Sequence, residues 1–257
     1  MSLLVILFVL LVQRFLSFDI PKPKGNWFVA YAKRLEGACV RLPKFQGWLG
    51  VLLLITSAVL IYALVIGLLE HLLGPVFTFI FHALVLWYYL DAKPLNVNIT
   101  NEFTITRLFS ERYEQVFVIL FWYIILGPAA VIVYVETGRL VQALRQQQQQ
   151  EAYFAEDFLL ALIRCRDLAD WLPARILGLT FALAGHFRPV FTAWCAGLKH
   201  LGDAGAHVAE WGLLALGWDA DLNLTPQSLD ESEGLITRSL IIWLVALFLA
   251  NLGHYFQ

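Results

Sequence analysis

From Trp48 to Leu69 the chain runs without a single charged side chain. A helix needs about 20 apolar residues to cross a hydrocarbon core of about 30 Å, so this run has the length and chemistry of a membrane span. Three further runs follow: Leu72–Leu90, whose one titratable group is His82, then Gln115–Val135, then the shorter Leu240–Phe256. The opening Leu3–Val12 is shorter still and meets Gln13 and Arg14 at once. With no basic n-region before it and no small-residue cleavage site after it, it reads as a retained anchor helix extending towards Phe18. Composition agrees. Of 257 residues, 60% are hydrophobic and 15% charged, whereas soluble domains carry about 25% charged residues. A soluble monomer of this length cannot hide so much apolar surface. The formal net charge is −2, and no dense basic tract supplies the footprint of a nucleic-acid binder.

These runs predict an all-α, polytopic helical membrane protein with about 4–5 transmembrane helices and a membrane-associated helical region. The whole of 1–257 is expected to form one membrane domain. It comprises an anchor helix over 1–18, a transmembrane hairpin over 48–90 turned at Leu73-Gly74-Pro75, a broken helix over 115–135, a helical region over 139–235 and a final span over 239–256. Between anchor and hairpin lie Arg14, Lys22, Lys24, Lys33, Arg34, Arg41 and Lys44 against Asp19 and Glu36. The positive-inside rule puts that stretch in the cytoplasm, and the hairpin then returns Asp91–Glu114 to the same side. Within the first stretch Trp27, Tyr31, Leu35 and Leu42 recur near helical spacing, which fits either a helix in the inner-leaflet interface or one packed on another part of the chain. Gly127-Pro128 should kink or break the 115–135 helix. If that segment spans, 139–235 is periplasmic; if it re-enters, 139–235 stays cytoplasmic.

Metal chemistry built from Cys and His has no signature here: Cys39, Cys165 and Cys195 lie far apart, no CxxC occurs, and no HExxH-type pair exists. In the 139–235 region, Phe154, Phe158, Leu162 and Cys165 mark one face of an amphipathic helix. Ile176–Phe187 and Ala204–Leu216 are apolar but too short to span. Asp170 suits an N-cap for a helix starting at Trp171, with Pro173 in its first turn. Arg166 and Asp170, one turn apart, could pair. Arg175 is open to two readings, binding a phosphate or lipid head group, or pairing with Asp167 or Asp170.

The run Phe121-Trp122-Tyr123-Ile124-Ile125-Leu126-Gly127-Pro128, followed by Tyr134, resembles the F-W-Y-x-x-x-G-P segment of the CobD/CbiB/AmpE superfamily. Asp167–Arg175 with Ile176-Leu177 resembles its D-x-x-(N/D)-W-(I/V/L)-P-A-R-L segment, and Thr180–Phe187 is similar to the AmpE branch in particular. The CobD/CbiB branch joins an aminopropanol-type amine to a corrinoid carboxylate with ATP, so the resemblance brings ATP and Mg²⁺ as candidate cofactors. Its R-x-x-N-T-x-D-S-M segment is replaced here by residues beginning Val135-Glu136-Thr137-Gly138-Arg139, and its E-N-x-x-D-G pattern keeps only Glu114. The resemblance therefore implies a bacterial inner-membrane signalling modulator of the AmpE type, linked to β-lactamase induction and cell-wall recycling, rather than a synthase. A CobD-like ligase and a non-catalytic assembly partner are the alternatives. The partners expected are the lipid bilayer and either a membrane protein or a second copy of the chain, with no nucleic acid. Ligand-binding candidates flank the two matching blocks: Glu111, Glu114, Trp122, Glu136, Arg139, Asp167, Asp170, Trp171 and Arg175. Their acids would hold a divalent cation and their arginines a phosphate or carboxylate, while the two tryptophans would wall the site.

Overall fold

The structure, a computed structural model, describes residues 2–15, 27–39, 47–90, 105–147, 156–218 and 225–255. All regular structure among them is helical: α1 (Ser2–Phe15), α2 (Trp27–Cys39), α3 (Trp48–Leu73), α4 (Pro75–Tyr89), α5 (Ile105–Arg112), a π-helical turn (Tyr113–Phe117), α6 (Val118–Leu126), α7 (Pro128–Gln147), α8 (Glu156–Ala184), α9 (Phe187–Gly197), α10 (Ala204–Leu216) and α11 (Pro226–Tyr255). The end of the expected anchor, Leu42, most of the 91–114 segment, Gln148–Gln150 and Asp219 lie outside the described residues.

Among the described residues two helices are long and apolar enough to cross a membrane, Trp48–Leu72 in α3 and Pro226–Gly253 in α11, and Leu3–Gln13 and Pro75–Tyr89 are shorter apolar helices. Leu60, Leu64 and Leu68 of α3 and Phe248 and Leu249 of α11 are all more than half exposed. The 115–135 run is not one helix. It ends at Leu126, passes through Gly127 at φ 77°, and resumes at Pro128. Proline's missing donor and glycine's freedom in the left-handed region together make that break.

The structure departs from expectation at Asp170, which is not an N-cap. Helix α8 runs unbroken for 29 residues with Pro173 inside it, merging two helices expected from the sequence. An interior proline costs about 3 kcal/mol. Burial of Pro173 itself and of Ala174 and Leu177 after it offsets that cost.

The described chain forms two compact units, one of 1–16, 90–121 and 170–257, the other of 17–89 and 122–169. In the second unit, α2 packs against α3 and α7. Phe28, Val29 and Ala32 of α2 enter one core with Val51 and Leu54 of α3, Leu140, Val141 and Leu144 of α7, and Phe158 and Leu162 of α8. Of the two readings of α2, packing on the chain is the one seen, although Trp27 stays half exposed.

In the first unit, close packing of glycine against aromatic rings sets the geometry. A Cβ on Gly178 of α8 would fall 2.4 Å from the Trp211 ring of α10, and one on Gly212 would fall 2.9 Å from the Phe109 ring of α5. The rings of Phe109 and Phe181 meet edge to face at 5.6 Å, and those of Phe117 and Trp243 at 5.4 Å. Turn chemistry closes the elements: Gly217, at φ 75°, ends α10 in a Schellman-type cap with Trp218 N–H donating to the Leu213 carbonyl. Helix α11 opens on reciprocal bonds between Thr225 and Ser228.

Candidate functional site

In the second unit, one turn of α7 gathers polar groups inside an apolar bundle. Glu136 is 1% exposed. Its Oε1 accepts from the Tyr89 hydroxyl at 2.9 Å and from Arg139 Nη1 at 2.7 Å, and the Arg139 guanidinium lies over the Tyr89 ring at 5.8 Å. A buried carboxylate is tolerable only with such partners. Arg139, on the helical neighbour position three residues on, supplies the countercharge.

Two residues before Glu136 on α7 is Tyr134, and Arg166 of α8 lies over its ring at 4.7 Å and donates to its hydroxyl at 3.2 Å. Gly138 makes that approach possible, since a Cβ there would fall 1.7 Å from Arg166 Nη1. Beside this contact is a cavity of about 320 Å³ between α3, α6, α7 and α8. Ile55, Val59, Trp122, Leu126, Ala130 and Cys165 form much of its apolar wall, and Tyr134, Thr137 and Arg166 form its polar end. Burial pushes the Cys165 thiol above its ordinary range.

The first unit holds a different arrangement, built on Arg175. This side chain is 4% exposed, and its Nη2 donates to the carbonyls of Gly197 at 2.5 Å and His200 at 2.9 Å. The guanidinium sits 5.1 Å from the Trp211 ring centre and 5.7 Å from that of Trp171. Its Nε has no hydrogen-bond partner, nor do the Trp171 and Trp211 indole nitrogens. The indole rings on either hand provide a cation–π environment instead. His207 stacks on the outer side of the cage, 5.7 Å from Trp211. Burial draws the Arg175 proton affinity down, partly countered by Tyr113. A cation at the end of α9 also complements that helix's exposed carbonyls. Arg175 is thus a tie between α8 and the α9–α10 turn.

The other candidates are placed as follows. Glu111 is paired with Arg107 at 2.8 Å, and Glu114 is exposed on the π-helical turn. Trp122 lines the cavity. The Asp170 carbonyl accepts from the Tyr113 hydroxyl at 2.6 Å, while Asp167 is half-buried on α8. Glu136 with Arg139 form one cluster and Trp171 with Arg175 another. Glu111, Glu114, Asp170, Trp171 and Arg175 belong to the first unit and Trp122, Glu136, Arg139 and Asp167 to the second. No group of three metal-ligating side chains occurs among the described residues.

The candidates chosen from the sequence omitted Tyr89, Tyr134, Arg166, Gly138 and Trp211. Tyr134 and Arg166 stood beside the matching blocks, and their adjacency to those blocks was the available signal. Tyr89 and Trp211 reach their partners only through folding. Arg112, 6% exposed and 3.7 Å from Glu233, was likewise beyond reach, because Glu233 lies 121 residues away.

Helical throughout its described residues and carrying both motif blocks, the chain is consistent with an AmpE/CobD-like superfamily. Within it, residues 106–211 match the family model described as the regulatory signalling modulator protein AmpE. A curated relative, the cobalamin biosynthesis protein CobD of Stutzerimonas stutzeri (strain A1501), is 33% identical over 81 residues, covering 32% of this chain and 25% of that protein. The chain thus aligns with about a quarter of the length of that relative. No solved structure matches the chain.

Proposed function

We propose that this chain is a multi-pass protein of the bacterial inner membrane that acts as a signalling modulator of the AmpE type, tuning β-lactamase induction in response to cell-wall recycling. The observation that carries the reading is the match of residues 106–211 to the AmpE family. The exposed leucines along α3 and the exposed apolar side chains of α11 support the membrane placement, because water-facing surfaces rarely carry such continuous apolar faces. The break at Gly127 supports a re-entrant segment and a cytoplasmic 139–235 region, since broken backbone at membrane depth is accommodated where protein or a cavity surrounds it. Comparing β-lactamase induction in cells with and without the gene tests the function. Induction by a β-lactam that is identical in both strains would refute it. A single cysteine at Gln147, labelled by an impermeant thiol reagent in intact cells, would refute the cytoplasmic placement.

The identity shared with a CobD protein favours a second reading, an ATP- and Mg²⁺-dependent ligase joining an amine to a corrinoid carboxylate. Purified protein given cobyric acid, aminopropanol phosphate, ATP and Mg²⁺ would then yield the joined product by mass spectrometry. An absence of product, with an authentic synthase active alongside, removes that reading.

A further inference from the structure

We propose that the cavity between α3, α6, α7 and α8 is a lipid-binding site that takes one hydrocarbon chain of an anionic amphiphile drawn from the bilayer, with its head group at Arg166. The cavity measures about 320 Å³, at the lower end of the range of about 300–1,000 Å³ for small-molecule sites. That suits one chain rather than a two-tailed lipid bound whole. Its walls are graded along α7. Ala129 and Ala130, beside the Gly127 break, lie at the apolar end, and Tyr134 and Thr137 lie at the other with Arg166. Eight residues of helix separate Ala129 from Thr137, or about 12 Å.

The gradient runs in the direction a bilayer imposes. The apolar end adjoins the broken backbone, whereas the polar end adjoins Glu136 and Arg139, the first charged residues of α7. Access is apolar as well: Val59 of α3 is 39% exposed and Leu126 of α6 is 62% exposed, and both belong to the wall. A chain can therefore enter sideways from lipid without crossing a polar rim. The guanidinium fixes the sign of the head group, since a phosphate or carboxylate is favoured beside it and a quaternary amine is repelled. Gly138 holds the guanidinium at this end by leaving room for it.

Cys165 in the wall reports occupancy, and exposed Cys195 provides an internal reference. The full chain is reconstituted in phosphatidylcholine nanodiscs and alkylated with N-ethylmaleimide, and each cysteine peptide is followed by mass spectrometry. Dodecyl phosphate is expected to slow Cys165 alkylation at least fivefold and leave Cys195 unchanged. Dodecyltrimethylammonium and inorganic phosphate should not slow either. Protection should fall at least fivefold in Arg166→Gln and return in Arg166→Lys, which keeps the charge. Gly138→Ala, which displaces the guanidinium without removing it, should also weaken protection. Equal Cys165 rates with and without dodecyl phosphate would overturn the assignment, as would equal protection by the cationic probe. The inference rests on the membrane placement of α3, and failure of the chain to enter the nanodisc would overturn both. A chain that enters and shows no protection overturns only the lipid site.

Discussion

Replacing Gly178 by alanine isolates the packing that organises the AmpE-like segment. Its Cβ would arrive 2.4 Å from Cε3 of Trp211 and 2.8 Å from Cδ1 of Trp194. Ordinary contact begins near 3.4 Å, so the Trp211 ring must retreat by about 1 Å, and it has little room to do so. It is wholly buried, with the Arg175 guanidinium 5.1 Å from its centre and His207 stacked at 5.7 Å. Trp194 is held too, its indole N–H donating to the Arg175 carbonyl at 2.9 Å. Overpacking of this kind costs about 1–3 kcal/mol, and the better helix propensity of alanine returns up to about 1 kcal/mol. A net loss of about 1–2 kcal/mol should lower the unfolding midpoint by about 2–8 °C for a chain of this size. Gly234 of α11 supplies the control, because a Cβ there meets nothing within 4 Å. Gly234→Ala should then hold or raise the midpoint. Thermal unfolding of the two variants in one detergent, followed by circular dichroism, measures the difference. If Gly178→Ala proves as stable as Gly234→Ala, the close approach of Trp211 to α8 is wrong.

The remaining predictions address the polar contacts and the helix break. Glu136→Ala leaves the Tyr89 hydroxyl and Arg139 without their shared acceptor and should destabilise by about 1–3 kcal/mol; Glu136→Gln, which keeps an acceptor for Tyr89, should cost less in the same melt. Arg175→Met should cost about 2–4 kcal/mol by stranding the Gly197 and His200 carbonyls, and hydrogen exchange should quicken in α9 before it quickens in α11. Gly127→Ala, at φ 77° with open space around it, should cost about 1–2 kcal/mol from backbone strain alone. Because burial raises the Cys165 thiol, its alkylation rate should keep climbing at pH values above the ordinary thiol range of about 8.5; a plateau at or below that value would contradict its burial.

The sequence made local chemistry legible and long-range pairing invisible. The charge-free run beginning at Trp48 could only be a long apolar helix, and the Gly127-Pro128 break followed from two residues whose backbone preferences act within one turn. Leu73-Gly74-Pro75 likewise marked the α3–α4 turn. At Pro173 a local rule favouring a helix start met burial of the proline itself and of Ala174 and Leu177 after it, and burial prevailed. The nine candidate residues share only their position flanking two matching blocks in the sequence; Glu136 and Arg175 find their partners through Tyr89, Trp211 and the α9–α10 turn, and no spacing rule connects these. Arg166 illustrates the point best: its contact with Tyr134 depends on the absence of a side chain at Gly138, 28 positions earlier.

Arg175 also bears on what the shared motif means. In a Trp-Leu-Pro-Ala-Arg block that served chemistry, the arginine would present its donors to an open site. Here its Nη2 is committed to two backbone carbonyls, its face lies between two indoles, and Gly178, three residues on, is needed to admit one of those indoles. Removing any member disturbs the packing of α8 against α9 and α10. A block with that role suits every protein built on the same scaffold, whatever its reaction, so likeness in it argues for fold far more strongly than for activity. The identity shared with a CobD protein over 81 residues does not by itself carry the ligase reaction to this chain. Around the cavity, where Tyr134, Gly138 and Arg166 act together, substitutions should alter function with smaller losses of stability than those at Arg175 or Gly178.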